Sequence, residues 1–226
     1  MFGQSVHIIV VFIDRNRLQF YGSGLSSVLA LDIPTTVVQD LDVVNRDALY
    51  TLVNQWLKQN NLGSAQLFFI LAPDTYFEKV LISKGENEQE TEILHFYDSV
   101  PFEELTTKVL TFENIKRALA INKEYLEAVR HAFLLQGHRV VAVVPALVLG
   151  TLCAKRWLDT EMGLYVIKHA DTLREYNVVD LEEQNQAVAT PASAVPTTKT
   201  NPRLMVMVSV FGVLLLVLIF FIFTRR

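Results

Sequence analysis

The residues best suited to chemistry stand at the end of the first apolar run, where Asp14-Arg15-Asn16-Arg17 sets a carboxylate beside two guanidiniums. A carboxylate at a strand end can organise a metal ion, and two arginines can hold an anion. The same four residues also make an ordinary solvated turn. Gly22-Ser23-Gly24 is the most glycine-rich stretch, but neither G-x-x-x-x-G-K-[ST] nor G-x-G-x-x-G occurs, and a turn between strands accounts for the pair. The histidines are His7, His95, His131, His138 and His169. His131 and His138 stand across a helix end from one another, a spacing that could bring them together. No carboxylate or cysteine sits at ligand spacing beside them, so a metal site is not expected. Cys153 is the single cysteine; it has no intrachain disulfide partner, and its apolar setting suits a buried, inert thiol. Gly-x-Ser-x-Gly is absent, and Glu103-Glu104 are adjacent rather than facing, which suits a solvated loop better than acid/base catalysis. The acidic run Glu86–Glu92 reads as a solvated loop or as a docking surface for a basic partner. No catalytic, metal-binding or cofactor-binding residue is therefore expected.

The elements that would position these residues read as mixed α/β. VHIIVVFI (6–13) is a continuous apolar run, as in a central strand. RLQFYG (17–22) alternates like its partner, and SSVLALDI (26–33) makes a third strand. Asn45 can cap a helix over Arg46–Gln59, with Leu49, Leu52, Val53, Trp56 and Leu57 at helical spacing, and QLFFILAP (66–73) is another buried strand. A second block follows. Tyr76–Ser83 suits a strand, 84–92 a charged loop, and Ile93–Tyr97 a short helix. Thr106–Phe112 and Ile115–Ile121 suit a hairpin turning at Glu113-Asn114. Asn122 caps a helix over Lys123–Gln136 that Gly137 stops, and HRVVAVVP (138–145) is a strand. The spacing predicts a helix over Ala146–Trp157 and a hairpin over 164–179 turning near Ala170-Asp171.

The chain has 226 residues, 51% hydrophobic and 19% charged, which excludes a disordered or collagen-like chain. Part of the apolar excess is local. Positions 204–223 read LMVMVSVFGVLLLVLIFFIF, twenty residues without a charge, matching the roughly 20 that a helix needs to cross a bilayer. Residues 181–203 (EEQNQAVATPASAVPTTKTNPR from 182) have the composition of a flexible linker. Beyond position 180 lie four of the 20 basic residues (Lys199, Arg203, Arg225, Arg226) and two of the 24 acidic ones (Glu182, Glu183), so residues 1–180 carry net −6. An acidic head without a basic stripe argues against nucleic-acid binding. The N-terminus lacks a basic n-region and its apolar run ends at Asp14, so no signal peptide is read there. The expectation is a head over 1–180 in the cytoplasm, a linker, a span over 204–223 and a tail over 224–226. The positive-inside count across the span is a tie, and Gly212 has no small partner at i±4 that would make a GxxxG dimerisation face.

Three stretches carry a resemblance: VVNRDALYTLVNQWLKQNNLGSAQLFFILAP (43–73), DSVPFEEL (98–105) and RALAINKEYLEAVRHAFLLQGHRVVAVVPALVL (117–149). With the β-β-β-α-β order they resemble the N-terminal half of actin-like (RNase H-like) proteins. More narrowly, they are similar to the PilM family of the type IV pilus inner-membrane platform and its type II secretion counterpart, GspL. The resemblance implies an α/β head, the N-terminal half of an actin-like fold, with an inserted small α/β block at about 76–145 and one C-terminal transmembrane helix. Actin-like ATPases carry Asp-x-Gly-[Ser/Thr] after their first strand; here Asn16 replaces the glycine and the hydroxyl is absent. The second half that would complete a nucleotide cleft is missing, so no bound nucleotide or other cofactor is expected. The resemblance further implies a non-catalytic, membrane-anchored scaffold at the inner membrane, with PilN/PilO-like platform proteins and the lipid bilayer as partners; PilM grips a short cytoplasmic peptide of PilN. It assigns no partner-binding residue and no oligomeric state. The alternatives are a half-site ATPase completed in trans, in which Asp14 would be essential, and a tail-anchored adaptor unrelated to pili.

Overall fold

The first apolar run has no polar face to turn to water, and its strand must be covered on both sides. In the computed structural model, which describes residues 8–82 and 85–179, it forms β1 (Ile8–Ile13), buried from Ile9 onward. The Asp14–Asn16 turn returns the chain as β2 (Arg17–Gly22), antiparallel to β1, and β3 (Leu29–Asp32) pairs antiparallel with β2. A small ribbon, β4 (Val38–Gln39) and β5 (Asp42–Val43), turns through Asp40 and Leu41, both in the left-handed region. It delivers the chain to α1 (Arg46–Gln59), whose cap Asn45 accepts the Ala48 N–H at 3.0 Å. β6 (Gln66–Leu71) then lies parallel to β1.

An inserted block follows: β7 (Tyr76–Val80), α2 (Glu86–Asp98), β8 (Leu105–Phe112) and β9 (Ile115–Asn122), with strand order β7-β9-β8. α3 (Lys123–Leu134) and β10 (Arg139–Pro145) return to the main sheet, whose order is β10-β6-β1-β2-β3. β10 pairs parallel with β6, so the insertion is 76–122 and not 76–145. After β10 come a 3-10 segment (Ala146–Ala154), α4 (Thr160–Lys168), α5 (Ala170–Leu173) and a last 3-10 turn (Arg174–Tyr176).

The register decides which helices cover which face. Val11, Phe20, Phe69 and Val143 are cross-strand neighbours and share one face. Phe20 stacks on Trp56 of α1 at 4.2 Å, and both Phe20 and Phe69 meet the edge of Phe133 of α3, at 5.9 and 5.7 Å. Gln19 and Tyr21 point the other way, toward α4. The Gln19 carboxamide accepts the Leu158 N–H at 3.0 Å, and Gly163 lies so close that a Cβ there would be 2.2 Å from Cδ1 of Tyr21. Val143 N–H donates to the Asn177 side-chain Oδ1 at 2.8 Å and Val143 O accepts from Val178 N–H at 2.9 Å, which covers the β10 edge at Val143 with one side-chain and one backbone partner.

Three further sequence expectations differ from this fold. The acidic run is the start of α2 rather than a loop. Glu86 and Glu88 sit in its first turn, where the helix dipole favours negative charge, and with no buried residue in α2 there was no apolar stripe to read. Ala146–Trp157 is not an α-helix, because Gly150 takes φ 60° and ψ −127° inside it. The segment 164–179 is helical as far as Tyr176 rather than a hairpin. Asp159 caps α4 by accepting the Met162 N–H at 2.8 Å, and Met162, Val166, Ala170 and Leu173 are buried at helical spacing. The linker, span and tail over 181–226 lie outside the described residues. Among the described residues no helix is long and apolar enough to cross a membrane.

Candidate functional site

Asn122 ends β9 and starts α3, and its side chain is 95% buried, at 5% exposure. Its carboxamide oxygen accepts the Tyr125 N–H at 3.2 Å, which caps α3. Its amide donates to the Leu41 carbonyl at 3.0 Å and reaches Asp42 at 3.5 Å. One side chain thus fixes the start of α3 against the β4–β5 turn. The Pro101–Glu104 loop is fixed to the same helix end: Lys123 donates its N–H to Glu104 O at 3.1 Å and its Nζ to the Glu104 carboxylate at 2.9 Å. Phe102 meets Phe77 of β7 edge-on at 5.8 Å.

Between these elements runs an open groove of about 790 Å³. Arg46 and Tyr50 of α1 line one side, α3 from Asn122 to His131 forms the base, and Pro101–Glu104 of the inserted block forms the far side. Arg46 bonds Glu124 at 2.8 Å, and the Tyr50 ring lies 5.4 Å from that of His131. Asp42, Glu103, Glu104, Glu124 and Glu127 face it against Arg46, Lys123 and Arg130, so the lining is net acidic. The Lys123 ammonium is held above its ordinary value by Glu104, whose carboxyl is held below its own by Lys123. Arg130 is only 8% exposed, and its Nε is sealed from solvent without a partner. Burial pushes its guanidinium down, and Glu127 pushes it up by less.

The Asp14–Arg17 turn is built differently from a phosphate cradle. The Asp14 N–H donates to Arg17 O at 2.9 Å, and the Asp14 carbonyl accepts from the hydroxyl of Tyr125 at 2.7 Å. That hydroxyl is buried, which raises its pKa well above the ordinary phenol range. The Asp14 carboxylate accepts the Arg15 N–H at 2.7 Å. Both guanidiniums have partners of their own: Arg15 donates to the Asp74 carbonyl at 3.0 Å, and Arg17 bonds Asp32. A cavity of about 420 Å³ beside the turn is lined by Asp14, Asn16, Thr35 and Asp40 among others. Gly22 and Gly24 form a turn closed by Leu25 N–H to Gly22 O at 3.1 Å, and a Cβ on Gly22 would meet Ile8 O at 2.4 Å.

The histidines are not brought together. His131 lines the main groove, while His138 is buried against Phe133 and accepts the Ala65 N–H through Nδ1 at 3.2 Å, at a separate cavity. His169 lies under Tyr165, and His95 is exposed on α2. Among the described residues no group of three His, Cys, Asp or Glu could hold a metal ion. His7 and the Cys153 side chain lie outside what is described. Glu103 and Glu104 turn out to stand on the groove's rim. Sequence reasoning missed Arg130, although a signal was present: a cation four residues after Leu126 and three before Phe133, inside the apolar stripe of α3.

No family model matches this chain, and no curated protein does. Among solved structures, the PilM–PilN type IV pilus biogenesis complex is similar at 16% identity, covering 62% of this chain and 47% of that chain, with a TM-score of 0.45. The cytoplasmic domain of EpsL, an inner-membrane component of the type II secretion system of Vibrio cholerae, is similar at 14% identity over 62% of this chain and 58% of that one, TM-score 0.37. A Bacteroides thetaiotaomicron protein with an actin-like ATPase fold and unknown function is similar at 9% identity over 63% and 52%, TM-score 0.38. The chain spans about half the length of these structures.

Proposed function

We propose that the head is a recruiting module rather than an enzyme, and that the groove between the inserted block and the α1–α3 layer takes an extended segment of a partner protein. The observation that carries this reading is the groove itself. It is open, its two sides belong to different parts of the chain, and Asn122 and Lys123 hold those parts in fixed relation. An extended segment advances about 3.3 Å per residue and suits such a channel better than a compact ligand does. The resemblance of 43–73, 98–105 and 117–149 to the PilM and GspL families supports a PilN/PilO-like partner of a type IV pilus-like or type II secretion-like platform. The apolar run over 204–223 would hold the head at the cytoplasmic face of the inner membrane. The turn at Asp14, occupied by its own hydrogen bonds, supports a role without nucleotide chemistry.

The test is site-directed photocrosslinking in native membranes. A photoreactive residue replaces Glu103 on the groove rim, and in a second variant it replaces Leu164 on the exposed side of α4. Position 103 is expected to yield an adduct with a platform membrane protein, identified by mass spectrometry, that position 164 does not yield. Equal adducts from both positions, or none from position 103, would reject the groove as the recruiting surface.

A further inference from the structure

Arg130 is the one buried formally charged side chain among the described residues. Its neighbours in the groove are paired, Arg46 with Glu124 and Lys123 with Glu104. Among the described residues Arg130 joins no side-chain ion pair within 4 Å, and its Nε, out of reach of solvent, has no acceptor. A largely buried guanidinium with one N–H unsatisfied, offset only in part by the Glu127 carboxylate, is a standing destabilisation, and α3 would be more stable with an apolar side chain of similar length there. Its place at the base of the groove, on the helix that both sides converge on, gives that defect a use. Around it the lining carries five carboxylates against three cations, so a ligand of net negative charge would be repelled while a net positive one is drawn in.

From these two features we infer that the groove's occupant is a basic, extended peptide segment that lays an oxygen acceptor on the Arg130 guanidinium, making Arg130 the anchor that selects it. The inference rests on the groove reading of the previous subsection and narrows it. A planar guanidinium donates through a fork that matches an oxygen acceptor. The acceptor is a main-chain carbonyl or an acidic side chain of the segment; the chemistry at Arg130 is the same for both. The free head is then held less stable than it need be, and binding removes the deficit.

The experiment pans a phage library displaying random peptides of roughly twelve residues, which can lie extended at about 3.3 Å per residue, on the full-length protein in detergent. The winners are then measured on the R130M, R130K and E103K variants. Enrichment of Lys- and Arg-rich peptides is expected. A fixed Asp or Glu among them identifies a side-chain acceptor, and its absence a main-chain carbonyl. R130M is expected to lower affinity by about tenfold or more, while its melting temperature stays level or rises; a merely structural arginine would show a fall. R130K keeps the charge without the fork and retains a folded protein if R130M does not; it too is expected to bind more weakly. E103K is expected to weaken capture of the basic peptides. Peptides held equally by R130M and wild type would overturn the anchor and leave the groove reading standing, as would a fall in melting temperature with unchanged binding. Enrichment of acidic peptides would overturn the charge selection. If no peptide is enriched on wild type, the groove reading fails and this inference fails with it.

Discussion

Asn122 is the side chain on which the groove's geometry rests, and removing it has a magnitude that can be worked out. In N122A the cap on α3 is lost, which costs about 1 kcal/mol. The Leu41 carbonyl, on a residue only 3% exposed, also loses the amide that satisfies it at 3.0 Å. A buried acceptor left without a donor costs about 1–3 kcal/mol. The sum is about 2–4 kcal/mol. For a domain of this size each kcal/mol moves the melting temperature by about 2–4 °C, so a fall of roughly 5–15 °C is expected, read by circular dichroism on the full-length protein in detergent. N122S separates the two parts. Serine caps a helix about as well as asparagine but is too short to donate to Leu41, so its stability should lie between, about 1 kcal/mol above N122A. A loss below about 0.5 kcal/mol in N122A would refute the reasoning, and so would equal values for N122S and N122A, which would show that the cap contributes nothing.

Other expectations concern local features. Burial holds the His138 imidazole below its ordinary pKa, so the folded head resists a proton that the unfolded chain takes up. Its stability should fall as pH drops below about 6.5; the titratable part of that fall should vanish in H138N, which keeps an acceptor toward the Ala65 N–H, as read by urea midpoints across pH 5–8. G163A should destabilise the head by about 1–3 kcal/mol, because a Cβ at 2.2 Å from Cδ1 of Tyr21 must push α4 off the sheet; an unchanged melting temperature would contradict the packing of α4. The β8–β9 turn holds Glu113 at φ 51° and Asn114 at φ 63°, so replacing the pair by Asn-Gly should raise stability by about 1 kcal/mol, with the denaturant slope unchanged.

The elements whose signals are local were readable from the residues alone. A continuous apolar run could only be a strand covered on both faces, so β1, β6 and β10 were legible. Asn45 and Asn122 each preceded an apolar stripe of helical period, and their caps formed as read. The Glu113-Asn114 pair between alternating segments marked its hairpin, although glutamate has no preference for the left-handed region. Where the local signal was weak, tertiary contacts decided. The segment 164–179 reads as a hairpin, but the need to cover the Gln19 and Tyr21 face of the sheet selected a helix whose glycine permits close approach. α2 carries no apolar stripe because it buries no residue. The ends of the insertion were set by the pairing of β10 with β6, a long-range contact that composition does not encode. The groove is the clearest case. Glu103, Glu104, Arg46, Tyr50 and His131 come from separate segments, each ordinary in its own neighbourhood, and they face one another because Asn122 bonds a turn some eighty residues earlier in the chain while Lys123 ties down the Glu104 loop. Arg130 was visible as a cation in an apolar stripe, but whether it had a partner depended on every element packed around it, which local spacing cannot encode.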